Sequence, residues 1–112
     1  MTDEHNGSID TLVGQVKDKC KITWNDETTE RVVKDEIVPT ACSTVRFIIG
    51  IPDEVDFDFS KPGIEHRIFL NCAYYAWHDA EDDFERNYAV DIAHARRLWE
   101  VRNDASKQES TT

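Results

Sequence analysis

Two opposite helix signals lie close together in the middle of this chain. Gly50 followed by Pro52 ends a helix and prevents its continuation. Ser60 and Pro62 then supply a cap and a first-turn residue for a new helix. Between them, residues 52–60 alternate acidic and aromatic side chains. The pattern predicts a rigid corner, the 52–60 bridge, between two helices.

Apolar residues outside this corner recur at helical spacing, and no other segment alternates as a strand does. The predicted fold is therefore all-α, a small bundle of four to five helices. The first helix should begin after Ser8 and end near Cys20. The predicted core consists of Leu12, Val33, Ile37, Ile48, Ile68, Cys72, Tyr75, Ile92 and Trp99.

A proline complicates the second helix. Its start is predicted at Thr23, with Asp26 three residues later as in a capping box. Pro39 then lies inside the apolar series, where a proline costs roughly 3 kcal/mol in an ordinary helix. Because the apolar period continues in phase across it, we expect a kinked second helix. Two helices that meet near Val38 are the alternative.

The chain divides into one domain and two polar ends. Residues 1–7 have no periodicity and are predicted to be a disordered N-terminus. Residues 8–102 should form a single helical domain. Residues 103–112 are polar and are predicted to be a flexible C-terminal tail.

Composition narrows the class of protein. With 39% hydrophobic residues and no apolar run of about 18, neither a disordered chain nor a membrane span is expected. The acidic first residues are unlike a signal peptide, so we expect a cytoplasmic protein. A net charge of −10 argues against a module that binds nucleic acid, which would need an excess of Lys and Arg.

Candidate chemistry is sparse. Cys20, Cys42 and Cys72 are far apart and should be reduced and buried. Acidic residues from Glu54 to Glu65 partly fit a calcium-loop frame, but Phe59 occupies the position that needs glycine. No Gly-x-Ser-x-Gly, His-Glu-x-x-His or glycine-rich phosphate loop is present. We therefore expect no enzyme activity, no catalytic residue, no metal site and no cofactor.

The aromatic residues are the best candidates for binding a partner. Phe57 and Phe59 of the bridge should tuck against the helices, and Tyr74 and Trp77 lie in the aromatic run of the third helix. Together they exceed what one small core requires, so some should contact a neighbouring subunit or partner.

Five segments between residues 9 and about 101 also resemble, in order and spacing, the head-tail connector (head-completion) proteins of long-tailed bacteriophages. Each segment alone is a common pattern, and the resemblance depends on the whole series. The segments are 19–26 (KCKITWND), 49–53 (IGIPD), 56–63 (DFDFSKPG), 70–77 (LNCAYYAW) and 84–88 (FERNY). Pro39 departs from the family pattern.

The resemblance implies an all-α, ring-forming subunit, usually twelve-fold in the virion. Its partners would be the portal protein, a tail-side connector or stopper protein, and other copies of itself. DNA would only pass through the channel, no membrane would be involved, and assembly would take place in the host cytoplasm. The alternative is an acidic interaction protein or DNA mimic that binds a basic host partner. Assembly into rings distinguishes the two.

Overall fold

The computed structural model describes residues 5–110, with side chains up to Asp104. Its elements are α1 (Ile9–Lys19), α2 (Glu27–Arg31), a π-helix π1 (Val32–Ile37), α3 (Val38–Ile49), α4 (Ile64–Trp77), α5 (Glu81–Asn87) and α6 (Ala89–Ser110). Because α2, π1 and α3 follow one another without a break, the described chain has five helices. It has no strand, only an isolated bridge between His5 and Gly7. The all-α prediction is confirmed.

The first helix begins where the sequence predicts. The Oγ of Ser8 accepts a hydrogen bond from the Thr11 amide at 3.5 Å, and α1 ends before Cys20. Its apolar face, including Leu12 and Val16, is buried in the core. Helical spacing and a serine cap were sufficient signals here because both act within one turn.

The second helix starts later than predicted, and its cap is Asp26, not Thr23. One carboxylate oxygen of Asp26 accepts the Thr29 amide at 2.7 Å, and the other accepts the Thr29 hydroxyl at 3.0 Å. The indole N–H of Trp24 donates to the same hydroxyl oxygen at 3.0 Å. An ionised carboxylate is a stronger acceptor for these donors than a threonine hydroxyl, so Asp26 takes the cap position.

The helical rod continues through Pro39, so the alternative of two helices that meet near Val38 is wrong. Pro39 lies at the start of α3, directly after π1. The Val38 amide donates to the carbonyl of Val33, five residues back, which is the wider π register. A proline has no N–H, so the carbonyl four residues before it has no α-helical hydrogen-bond donor. The change of register falls in that part of the helix.

The core lies where α1, α3, α4 and α6 meet, with Phe59 and Phe69 among its largest fully buried side chains. Most of the predicted core residues are buried. Ile37 and Tyr75 are exceptions, since they are only partly buried and pack against the edge of the core. All three cysteines are free and buried, as predicted.

Both chain ends differ from the predictions. Residues 103–110, predicted to belong to a flexible tail, form the end of α6. At the N-terminus, residues 5–7 make specific contacts with the 52–60 bridge instead of being disordered. The predictions for residues 1–4 and 111–112 fall outside the described residues.

The molecule is elongated and thin. Its Cα atoms extend 53 × 37 × 19 Å, with a radius of gyration of 14.9 Å. A globular domain of this length would have a radius of about 13 Å. The 22 residues of α6 alone span about 33 Å, which accounts for much of the long dimension. No helix in the described part of the chain has the length and apolar character to cross a membrane.

Candidate functional site

The two bridge phenylalanines point into the molecule. Phe59 is fully buried, and its ring lies 5.0 Å from that of Phe57 and 5.5 Å from that of Phe69. Phe57 is half-buried and meets the Trp99 ring edge-on at 5.6 Å. The bridge aromatics therefore pack with the chain's own core, and Phe59 is wrong as a candidate interface residue. A period-two pattern shows which side chains share a face, but not whether that face meets the core or a partner.

Arg46 fixes the bridge from beneath. Its side chain is only 4% exposed, although its position in α3 shows no sequence signal of burial. One terminal nitrogen donates to the carbonyls of Pro52 and Val55 at 2.9 and 2.7 Å. The other donates to the carbonyl of His5 at 3.0 Å, and Nε donates to the Asn6 side chain at 2.7 Å. Arg46 therefore connects the bridge to the N-terminal residues.

Residues 5–7, the N-terminal strap, cover the outer side of the bridge. The amides of Phe57 and Phe59 donate to strap carbonyls at 2.8 and 3.0 Å. Gly7 has a φ of 105°, and a Cβ at this position would collide with the side chain of Asp58. Only glycine fits here, because both the backbone angle and the space exclude a side chain. The strap makes the bridge part of the folded core.

The acidic residues of the calcium-loop frame serve local contacts. The hydroxyl and amide of Ser60 donate to Asp58, and these two bonds lower the pKa of its carboxyl group. Glu65 is buried and accepts the Trp99 indole N–H at 3.1 Å, with Arg102 at 3.5 Å. Among the described residues, no group of three His, Cys, Asp or Glu side chains could hold a metal ion.

The cysteines and Tyr88 show pKa shifts that burial explains. Burial raises the pKa of the Cys42 and Cys72 thiols to about 12 and that of Cys20 to about 11. All three are therefore thiols, not nucleophilic thiolates, near neutral pH. Burial also raises the pKa of Tyr88, whose hydroxyl donates to Asn71 at 2.8 Å.

Tyr74 lies at the surface, between α4 and α1. Its side chain is 36% exposed, with the Lys19 ammonium 5.8 Å from the ring centre and the His78 ring at 4.5 Å. Leu70 and Gln15 line the same groove of about 600 Å³. Tyr74 can therefore contact a partner without any rearrangement.

Trp77 lines a different groove, which we call the Trp77 groove. This groove has a volume of about 350 Å³ and separates the end of α4 from π1 and the start of α3. Three exposed acidic residues, Glu36, Asp79 and Glu81, line the groove together with the half-buried indole. Tyr74 and Trp77 thus belong to two surfaces, not to one site with the bridge phenylalanines.

Sequence reasoning missed the most exposed apolar residues. Val90 is 83% and Val101 63% exposed on α6, with Leu98 at 37% between them. Val90 and Val101 lie on the side of α6 opposite its core residues, because eleven residues bring a helix back to nearly the same direction, and Leu98 lies at the edge of that side. We call them the outer stripe of α6. The same spacing rule could have found it, since this series is independent of the core series ending at Trp99. Phe47 of α3, 86% exposed, carried no comparable periodic signal.

Comparison with protein-family models, with curated proteins and with solved structures finds no match to this chain. Its function is therefore argued from its own surfaces. Three of these combine exposure with aromatic or apolar character: the outer stripe of α6, the groove lined by Tyr74 and the Trp77 groove.

Proposed function

We propose that this chain is a structural virion protein, a head-tail connector of a long-tailed bacteriophage. In this role its copies form a ring that joins the portal to the tail-side ring and lines the DNA channel after packaging. The ordered series of connector-like segments motivates the proposal, and the all-α fold is compatible with it. The observation that carries it here is the outer stripe of α6.

The outer stripe adds apolar side chains to the solvent side of α6, where the polar residues His94 and Arg97 are also exposed. The inner side of α6 packs on the core through Ile92 and Trp99, while Val90 and Val101 extend toward solvent on the opposite side. Apolar side chains that are exposed on one face of a helix are candidates for contact with a neighbouring subunit. A second subunit packed against α6 would remove these side chains from water, at about 25 cal/mol for each Å² buried.

The charge of the chain agrees with a conduit for DNA. A net charge of −10 repels phosphate, so a ring of such subunits lets the duplex slide without holding it. Ring closure requires two different edges on each subunit, because a closed head-to-tail ring uses heterologous contacts. The outer stripe supplies one edge, and the surface around Tyr74 supplies an aromatic contact for another.

Assembly with the portal protein of the same genome tests the proposal. The purified chain should form rings on the portal in negative-stain images. Val90→Glu with Val101→Glu should stay monomeric and keep its helical circular dichroism, because both side chains are exposed in the monomer. Thr28→Glu with Ser43→Glu is the matched control, since both residues are exposed polar positions outside α6. Equal assembly by the two variants would overturn the role of the stripe.

Phage genetics provides the second test. A phage that lacks the gene should still package DNA but yield tailless, leaky heads. Failure to make proheads, or normal infectious particles, would overturn the connector assignment.

An acidic interaction protein or DNA mimic is the second candidate. The Trp77 groove favours it, because three acidic residues line this groove together with an indole. Such a protein stays monomeric or dimeric and binds a basic host protein with strong salt dependence. Sedimentation with the portal separates the candidates, because only a connector joins it.

A further inference from the structure

The N-terminal strap contains the dipeptide Asn6-Gly7, which has a covalent chemistry of its own. The backbone nitrogen that follows an asparagine can attack the Cγ atom of its side chain, and glycine hinders this attack least because it has no Cβ. Only one asparagine of the chain, Asn6, precedes a glycine, and the others are Asn25, Asn71, Asn87 and Asn103. The reaction should therefore be fastest in the strap.

The side chain of Asn6 lies against a buried cation. Its Oδ1 accepts a hydrogen bond from Nε of Arg46 at 2.7 Å, and Arg46 is only 4% exposed. Within the described part of the chain, no carboxylate lies within 4.0 Å of the Arg46 guanidinium. The Nδ2 of Asn6 donates to no acceptor among the same residues. An oxygen in place of Nδ2 would therefore break none of these hydrogen bonds and would bring a negative charge to Arg46.

We propose that Asn6-Gly7 is a site of spontaneous deamidation and that Arg46 selects between the two products. The backbone nitrogen of Gly7 attacks Cγ of Asn6 and forms a five-membered succinimide ring. The C–Nδ2 bond breaks, and ammonia leaves with the proton of the attacking nitrogen. Water then opens the ring at either carbonyl. One opening gives aspartate at position 6, and the other gives isoaspartate, in which the main chain runs through the former side chain.

The docked strap slows this reaction. The carbonyls of His5 and Asn6 accept bridge amides at 2.8 and 3.0 Å, and Arg46 donates both to the His5 carbonyl and to the Asn6 side chain. Ring closure changes the backbone and side-chain torsions of Asn6, so these bonds oppose it. Conversion therefore proceeds from the open strap, at a rate proportional to the population that is open.

The aspartate product fits the docked position. It keeps the length of the main chain, and its carboxylate accepts from Nε of Arg46 in a charge-assisted hydrogen bond, which is stronger than a neutral one. Asp58 packs against Gly7 and opposes a second carboxylate nearby. The attraction of Arg46 outweighs this repulsion, because Arg46 is in direct contact with the side chain at position 6 and is buried, where salt screens least.

The isoaspartate product does not fit. It adds one carbon to the main chain directly before Gly7. The docked strap has no room for this carbon, since even a Cβ on Gly7 would collide with the side chain of Asp58. A strap with isoaspartate therefore stays open, where the ring can form again. Repeated ring formation and opening converts isoaspartate into aspartate, which docks and is removed from the cycle.

The inference goes beyond the proposed function and does not depend on it. Every atom that reacts belongs to one chain, so the chemistry can be followed in a monomer. Ring assembly on the portal is a separate measurement.

Mass spectrometry of the ageing full chain tests the reaction. The chain and a blocked peptide of residues 1–10 are incubated in the same mildly alkaline buffer and then mapped for aspartate and isoaspartate. Asn6 should convert before the other asparagines, and about tenfold more slowly in the chain than in the peptide, because only the open strap reacts. The chain should accumulate a larger share of aspartate than the peptide does. Earlier conversion of another asparagine, equal rates, or equal product ratios would overturn the proposal.

Hydrogen exchange tests the role of Arg46. Asn6→Asp reproduces the aspartate product. Exchange at the amides of Phe57 and Phe59, which donate to the strap, should slow about tenfold, because a hydrogen bond to a charged group is stronger than a neutral one. Asn25→Asp is the matched control, since Asn25 is exposed and its Oδ1 accepts from a lysine at 3.2 Å.

The control makes the same chemical change away from the strap and should leave exchange at both bridge amides unchanged. Unchanged or faster exchange in Asn6→Asp, or equal slowing in the control, would show that Arg46 does not favour the aspartate product.

Discussion

At the scale of single residues, Arg46 shows how a buried charge is stabilised without a carboxylate. Its guanidinium donates to three backbone carbonyls and to the Asn6 side chain, and it lies 5.9 Å from the centre of the Phe59 ring. Carbonyl dipoles in a low-dielectric interior stabilise the cation, and in return the cation satisfies carbonyls that the bridge could not pair otherwise. Neither group is stable there without the other.

Replacing Arg46 should therefore destabilise the fold strongly. Arg46→Met keeps the length of the side chain but leaves three carbonyls without donors, so we expect unfolding free energy to fall by about 3 kcal/mol. Urea denaturation of a dilute sample measures it. Arg31→Met is the control, because Arg31 is exposed and should change stability by less than about 0.5 kcal/mol. A similar small effect for Arg46→Met would contradict the structural role.

Two aspartates give the fold a defined acid sensitivity. Hydrogen bonds from Thr29 to Asp26 and from Ser60 to Asp58 hold the pKa of each carboxyl below its usual value of 3.8. A folded pKa below the unfolded one means a contribution that is present above pH 3.8 and is lost as the pH falls through the folded pKa.

Thermal midpoints measured from about pH 5 to about pH 2.5 test this sensitivity. Asp26→Asn with Asp58→Asn should lose less stability over this range than the unmodified chain does, because amide oxygens still accept hydrogen bonds but do not titrate. Asp53→Asn with Glu54→Gln should follow the unmodified curve, because these exposed bridge side chains make no hydrogen bond within the described part of the chain. Identical slopes for all three proteins would show that Asp26 and Asp58 do not set the acid response.

At this scale the sequence predicts partners one turn apart better than partners far apart. Ser8 was recognisable as a cap because its bond to Thr11 spans three residues. The Arg46 contacts join residues up to 41 positions apart, and nothing in the local pattern of α3 distinguishes Arg46 from a surface arginine. The same limit explains Phe59, whose burial depends on the strap and on Phe69.

At the scale of elements, π1 lets one long helix contain a proline. Val33, Ile37, Ala41 and Val45 are each four residues apart, and in a regular α-helix every such step turns the side chain about 40° farther around the axis. The wider turn of π1 offsets part of this rotation, so these four side chains keep facing the core. The continuity of the period predicted one second helix with a kink at Pro39. The repeated spacing of four residues, which indicates the π register, was not used in that prediction.

The π register also changes how strongly Pro39 destabilises the helix. Pro39→Ala gains one backbone hydrogen bond, which stabilises the fold by about 1 kcal/mol. It also increases the conformational entropy of the unfolded chain, which lowers stability by about 0.4–1 kcal/mol. We expect a net change within about 1 kcal/mol in urea denaturation. A gain near the roughly 3 kcal/mol of a strained interior proline would show that π1 does not relieve the strain.

At the scale of the whole molecule, the elongated shape and the net negative charge have opposite effects on contact between copies of the chain. The thin body, 19 Å in its shortest dimension, leaves little interior to hide apolar residues such as Val90 and Phe47. A net charge of −10 opposes contact between copies of the chain. Fold class was predictable because every apolar segment is helical, whereas interaction surfaces depend on which apolar residues remain outside after packing.

Self-association should therefore rise with salt. Screening shortens the range of repulsion between subunits, whereas apolar contacts along α6 are not screened. In sedimentation velocity experiments, the oligomeric fraction should increase between about 0.05 M and about 0.5 M NaCl. Val90→Glu with Val101→Glu should remain monomeric throughout. A decrease in oligomer with salt would indicate that ion pairs, not the outer stripe, hold the subunits together.

The N-terminal strap also has a consequence for the order of folding during synthesis. His5 leaves the ribosome long before Asp56, its hydrogen-bond partner 51 residues later in the chain. It also emerges before the bridge amides that donate hydrogen bonds to the strap carbonyls. The strap must stay hydrated and unattached until residues 56–59 have emerged and Arg46 is in place. The earliest of these residues to be made is thus among the last to be fixed, and its docking marks completion of the core beneath it.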